Sequence, residues 1–192
     1  STSSSSDEEL KLNPIIDLSG WQLPQDIDYD VLSNHISGAI VRVFGGSQIS
    51  KDSNAASSNG IDKSFKTHIK ELKKRDVPVA VYSYAQGTSV KEMKEEARIF
   101  YKNASPYKPT YYWIDVEEET MSNMEQGVQA FLAELKRLGA EKVGLYIGAY
   151  FMLEQEVSTK NFDAVWIPAY GTDSGYYEAL PNTEIDYDLH QY

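Results

Sequence analysis

Tyr111-Tyr112-Trp113-Ile114-Asp115-Val116-Glu117-Glu118-Glu119 is an apolar, aromatic run that ends abruptly in acid. In a strand, alternate side chains share a face, so Asp115 and Glu117 point one way and Val116 the other. Two carboxylates side by side at the C-terminal end of a buried strand repel each other and resist desolvation. Both effects raise the pKa of at least one of them. A protein keeps a general acid protonated near neutral pH in this way. The plainer alternative is a polar strand end where acids reach water, and Glu118 and Glu119 fit the acid-rich start of a helix. The surrounding sequence decides between the two.

On both sides of this run, strand-like segments alternate with helix-like ones. Pro14–Leu18 reads as a short strand turning at Ser19-Gly20, and Gly38–Phe44 as a second strand closed by Gly45-Gly46. Residues 47–60 read as a long polar loop. Ile61–Arg75 has Phe65, Ile69 and Leu72 on one face, with lysines elsewhere that fit a solvated surface better than a docking patch. Val77–Ala85 is the third strand. Ser89 and Glu92 form a capping box for a helix running to about Asn103. Ser122 and Glu125 form another, ahead of a helix lined by Val128, Leu132, Leu135 and Leu138 and stopped by Gly139. Lys142–Ala149 and Ala164–Tyr170 are the fifth and sixth strands, and Asp186–Tyr192 holds a last one.

Strands alternating with helices imply βαβ units and a parallel sheet, hence an α/β fold. Asp17-Leu18-Ser19-Gly20-Trp21 lacks the glycine spacing of a phosphate loop, which argues against a nucleotide-binding sheet. The expected architecture is an irregular (β/α) TIM-like barrel, smaller than the usual ~250 residues. Its last helices should be short or missing, because the segments after Phe162 leave little room for them.

Composition narrows the function. The 192 residues suit one domain, and a net charge of −11 argues against nucleic acid as a partner. No apolar run is long enough to span a membrane. Cysteine is absent and only His35, His68 and His190 occur, so no thiolate or histidine metal site is expected, and no cofactor. Residues 1–12, serine-rich and then acidic, read as a disordered tail or linker remnant of a mature or trimmed form. The remainder, 13–192, reads as the folded domain. The 14 tyrosines and three tryptophans supply flat amphipathic surfaces suited to sugar rings.

In a barrel of this kind, catalytic groups sit where strands end. Asp17 falls after the first strand, Tyr82 and Tyr84 on the third, Asp115 and Glu117 on the fourth, Tyr146 on the fifth, and Trp166 and Tyr170 on the sixth. Three carboxylates ringed by aromatics describe a site that protonates a leaving oxygen while stacking sugars.

These residues resemble glycoside hydrolase family 25, the Chalaropsis-type lysozymes. The matching stretches are Ile16-Asp17-Leu18-Ser19 with Trp21-Gln22, Ala39–Phe44, Ala80–Tyr84, Trp113–Glu117, Gly144–Tyr146, Val165–Tyr170 and His190–Tyr192. They fall in family order and cover nearly everything from Pro14 onward. The family usually has Trp-Gln-Tyr where His190-Gln191-Tyr192 stands, and continues to an Asp-Leu-Asn segment. The resemblance implies a muramidase that cleaves the β-1,4 bond between N-acetylmuramic acid and N-acetylglucosamine in peptidoglycan. It implies Glu117 as catalytic acid, Asp115 as its partner, and Asp17 and Tyr84 in the site. Tyr82, Tyr146, Trp166, Tyr170 and Gln191 are the expected substrate contacts. The protein should be a monomer acting on bacterial cell wall from outside the cell or at its surface, of bacterial or phage origin.

Same-face neighbours on a strand have Cα atoms about 6–7 Å apart. Side-chain rotamers let that spacing meet either the retaining or the inverting carboxylate separation. Two acids from one strand face would struggle to reach opposite faces of a sugar. Substrate assistance fits better: the 2-acetamido oxygen attacks its own anomeric carbon, Glu117 protonates the leaving oxygen, Asp115 holds the acetamido N–H, and Tyr84 donates to the intermediate. A chitinase-like barrel would extend the acids upstream, where Tyr111 and Trp113 stand. A non-catalytic glycan-binding barrel is the main alternative. An intracellular α/β protein with an acidic strand end would bind no glycan.

Overall fold

The computed structural model describes residues 13–168, together with the backbone of the strands at 174–178 and 188–190. Residues 1–12, expected to be a disordered tail or linker remnant, lie outside the described residues. Six strands, β1 (Ile15–Leu18), β2 (Gly38–Phe44), β3 (Val79–Tyr84), β4 (Tyr112–Val116), β5 (Val143–Ile147) and β6 (Ala164–Pro168), run parallel and curl into a half-barrel. β7 (Ser174–Glu178) runs antiparallel to β6, and β8 (Asp188–His190) pairs with β7 and with β1, joining the two edges. The expected all-parallel ring is therefore corrected at β7. An antiparallel neighbour can follow from a short connection, whereas a parallel one needs a crossover of a dozen residues or more.

The helices on the outer face are α1 (Tyr29–Ser33), α2 (Phe65–Lys73), α3 (Val90–Ala104), α4 (Met124–Leu138) and α5 (Ala149–Glu154). α1 and α5 are too short to have shown a clear period in the sequence. α2 starts four residues later than its apolar pattern implied. Ile61 is held extended by a bridge to Phe44, and Asp62 by one to Ala56. α3 is capped as expected, Ser89 Oγ accepting from the Glu92 N–H at 3.1 Å. The Glu92 carboxylate, however, accepts from the backbone and hydroxyl of Thr88 rather than closing the box on Ser89. The second box is displaced by one residue. Asn123, not Ser122, caps α4, accepting from the Gln126 N–H, while Glu125 accepts from the Ser158 N–H. Gly139 ends α4 at φ +121°, a conformation L side chains rarely adopt.

Strand alternation divides the apolar residues into two cores. Val41, Val43, Val81, Ile114, Val116, Leu145 and Ile147 face outward, against Phe65, Leu72, Phe100, Phe131 and Leu135 of the helices. Tyr112 shares that face, with its ring 5.6 Å from Phe100 and stacked at 5.5 Å on Tyr101. Each large side chain buried there contributes about 1.5–3 kcal/mol. The barrel interior is smaller and aromatic, built from Ile15, Ile40, Ala80, Tyr111, Trp113, Tyr146, Ala164 and Trp166. Stability thus rests mainly on the outer layer, which leaves the C-terminal end of the interior able to carry charge.

Candidate active site

The residues of β1 to β6 that point inward form a ladder. Tyr84 pairs with Asp115, Asp115 with Tyr146, and Tyr146 with Trp166 across four adjacent strands. One step lower, Arg42 pairs with Tyr82 and Tyr82 with Trp113. Together with Asp17, Ile40 and Glu117 these side chains line one cavity of about 220 Å³ at the C-terminal end of the strands. Asp17, Tyr82, Tyr84, Asp115, Glu117, Tyr146 and Trp166 are therefore all brought to one place. Tyr170 and Gln191 lie outside the described residues.

Trp113 makes the floor. Its ring lies 6.4 Å from Trp166 at 81°, and Trp166 meets Tyr146 edge-on at 4.6 Å. The register sets Trp113 opposite Gly144, where an added Cβ would fall 2.5 Å from the Trp113 ring. Glycine on β5 is thus what lets the indole lie flat across the barrel. Neither Trp113 nor Arg42 was among the expected site residues. The signal for both was the alternation already used for Asp115: Trp113 is two residues before it on one strand, and Arg42 is the single charge in the apolar run 38–44.

Asp115 sits deeper than Glu117. Its Oδ1 is buried and has no hydrogen-bond partner. Burial pushes its pKa well above the usual carboxylate range, the charge of Glu117 and a shared hydrogen bond with it push further, and Asp17 adds to them; Arg42 pulls the other way. Glu117 stands at the mouth and is exposed to solvent. Its pKa is also raised, first by partial desolvation and then by Glu118, while its hydrogen bond with Asp115 lowers it. The two carboxyls titrate as a pair that holds a shared proton to unusually high pH. Tyr82 and Tyr84 are raised too, chiefly by burial, and remain neutral phenols. The Tyr84 hydroxyl donates to Glu118 at 2.9 Å, so in this conformation it is engaged away from the expected sugar contact.

The loops around the mouth are tied together by hydrogen bonds. Glu96 on α3 accepts from the Ser47 hydroxyl at 2.8 Å and from the Gln86 N–H with both oxygens at 3.0 Å, joining the loops that follow β2 and β3. The Thr120 hydroxyl donates to the Gly87 carbonyl at 2.6 Å and adds the loop after β4. His68, fully buried under the first loop, donates from Nε2 to the Ser19 carbonyl and accepts at Nδ1 from Tyr29. Among the described residues, no cluster of three His, Cys, Asp or Glu side chains is placed to hold a metal ion, and no helix is long and apolar enough to cross a membrane.

Carboxyls with a shared proton in an aromatic cleft are equipped for acid–base cleavage of a glycoside. The sequence pattern of glycosyl hydrolases family 25 matches residues 16–192. The chain belongs to glycosyl hydrolase family 25. It is a glycoside hydrolase. Among solved structures it is similar to GHIP of Streptococcus pneumoniae, described as a glycosyl hydrolase 25 virulence factor participating in host cell invasion. The two are 57% identical with a TM-score of 0.82, over 94% of this chain and 78% of that one. The catalytic domain of endolysin ply40, from bacteriophage P40 of Listeria monocytogenes, is 24% identical with a TM-score of 0.70, over 90% and 80%. A lysozyme from Streptomyces coelicolor is 16% identical with a TM-score of 0.59, over 90% and 88%. These last two likenesses speak for the fold alone. No curated protein matches the chain.

Proposed function

We propose that residues 13–192 form one catalytic unit, an irregular TIM-type barrel that hydrolyses peptidoglycan as a muramidase. The bond cut is the β-1,4 link from N-acetylmuramic acid to N-acetylglucosamine. Membership of family 25 supports the reaction class. The observation that carries the mechanism is the buried Asp115 Oδ1, an acceptor without a partner beside the proton-sharing Glu117. The N–H of a 2-acetamido group is the donor that such an acceptor fits.

In the first step the acetamido carbonyl oxygen bonds to the anomeric carbon as the glycosidic C–O bond breaks. Glu117 gives its proton to the departing oxygen. Asp115, ionised, balances the positive charge of the oxazolinium ring through its N–H. In the second step the Glu117 carboxylate takes a proton from water, whose oxygen attacks the anomeric carbon and reopens the ring. Both steps occur on opposite faces of that carbon, so its configuration is retained. Asp17 holds the sugar and adds charge to the pair, and Tyr82, Tyr146, Trp166, Tyr170 and Gln191 serve as substrate contacts. A monomer working at or outside the cell surface fits the substrate, and with a net charge of −11 recognition of an anionic wall must be short-range.

The test is release of reducing ends from purified peptidoglycan. Borohydride reduction of the products should convert muramic acid, not glucosamine, to its alditol. Glu117→Gln should lose ~10²–10⁴-fold in turnover while still sedimenting with the glycan. Wild-type protein that binds glycan but releases no ends would favour the binding-only barrel. A glucosaminitol product would move the cut to the other linkage.

A further inference from the structure

Arg42 takes no part in the steps above, yet it is the only basic side chain among the described residues lining the cavity. Its Nε donates to Asp62 Oδ2 at 2.9 Å. Asp62 is fully buried and its carboxylate is saturated: Oδ2 also accepts from the Gly20 N–H at 2.7 Å, and Oδ1 from the Ser64 N–H at 2.8 Å. Arg42 Nη2, by contrast, is buried and has no partner. Asp62 does not line the cavity. The pair is therefore a fixed dipole. Its negative end is held by three donors away from the cavity lining, and its positive end belongs to the residue that lines the cavity together with the carboxyls.

We propose that Arg42, locked by Asp62, is a positioning residue that sets how many protons the acids of this site hold. The inference rests on Asp115 and Glu117 being the reacting pair. A glycosidase of this type needs one carboxyl ionised and one protonated at the same pH. The groups facing Asp115 are Asp17 from β1, Arg42 from β2, Asp62 behind it, Tyr82 and Tyr84 from β3, Glu117 and Glu118 after β4, and Tyr146 from β5. β6 contributes the uncharged Trp166. Of these described groups only Arg42 favours ionisation of Asp115. Without it, desolvation and mutual repulsion would leave the acids over-protonated, with no anion to balance an oxazolinium charge. The incomplete pairing supports this role over a purely structural one. A salt bridge present only for folding would gain from having the whole guanidinium paired, whereas here the buried Nη2 has no partner.

The test compares pH–rate profiles of the whole protein with direct titration of the carboxyl carbons by ¹³C NMR. Arg42→Gln removes the positive end, so both limbs of the profile and the Asp115 and Glu117 titrations should move to higher pH by about one unit or more. Asp62→Asn removes the opposing end, so the same readouts should move to lower pH. A merely structural pair would lower activity and melting temperature in both variants without opposite shifts. Where either single variant fails to fold, the double variant Arg42→Gln/Asp62→Asn removes the dipole and leaves no buried charge uncompensated. Its limbs should still rise, by less than Arg42→Gln alone. Unchanged titrations in folded Arg42→Gln or in the double variant, or shifts of the same sign in both single variants, would overturn the proposal. The NMR arm needs no glycan, so a failed muramidase assignment shows separately, as absence of product from wild-type protein.

Discussion

Glu96 is a carboxyl that the fold makes costly to ionise. It is fully buried on α3, and loss of water pushes its pKa from an ordinary 4.5 up to about 7. The Gln86 N–H and the Ser47 groups that bond to it pull down, and the nearby charge of Glu92 pushes up slightly. The folded protein therefore keeps this proton to higher pH than the unfolded chain does. Its stabilising contribution is full below about pH 4.5 and declines as the pH rises to about 7, the reverse of a salt-bridged acid. That interval, at about 1.4 kcal/mol per pH unit, is worth roughly 3 kcal/mol. At ~2–4 °C per kcal/mol for a chain of this size, the melting temperature should move by roughly 6–12 °C. The assay is a series of thermal or urea melts of wild type and Glu96→Gln between about pH 4 and about pH 8.5. Glutamine cannot ionise, and its fixed cost of turning an amide NH₂ toward the Gln86 N–H shifts every point equally. The difference between the two curves should therefore swing toward Glu96→Gln by roughly 3 kcal/mol as the pH rises. Asp115 and Glu117 titrate in both proteins and cancel. Parallel curves would refute the reasoning, because they would mean that the three donors fully replace the lost water.

Two further tests concern the site. Asp115→Asn and a de-N-acetylated substrate should each slow turnover by roughly 10²–10³-fold, since each removes part of one charge-balanced acetamido contact. Combined, they should be far less than multiplicative; a covalent glycosyl ester trapped on Asp115 or Asp17 with a slow fluorosugar would sink substrate assistance. Gly144→Ala sets a Cβ 2.5 Å from the Trp113 ring, so it should cost about 1–3 kcal/mol in melts and raise KM as the floor tilts. Unchanged stability would mean that the indole has room to move, against the packing described above.

Much of this was legible because one rule, alternation along a strand, governs both fold and site. The run 111–119 placed Asp115 and Glu117 on one face, and β2 falls on the residues read for it, Gly38–Phe44. What alternation could not give is what lies across from a residue. Gly144 under Trp113, and Asp62 behind Arg42, depend on register and on a loop that returns to the barrel. The displaced cap at Asn123 has a similar cause: Glu125 was drawn off by the Ser158 N–H, a partner 33 positions away that no local pattern announces. β7 is antiparallel for want of a crossover, and short connections leave little periodicity to read.

The proposed mechanism depends on the different depths of the two acids. In the empty cavity the shared proton belongs on Asp115, because the more deeply buried carboxyl suffers more from being charged. The proposed mechanism needs it on Glu117. An acetamido N–H donated to Asp115 Oδ1 stabilises the ionised form of that carboxyl, and the Arg42 guanidinium acts in the same direction. Glu117, facing the glycosidic oxygen at the mouth, then becomes the better home for the proton. In that mechanism the substrate's own amide loads the acid that cleaves it. A glycan without that amide would leave the proton on the deeper carboxyl, Asp115, and not on the one that faces the leaving group.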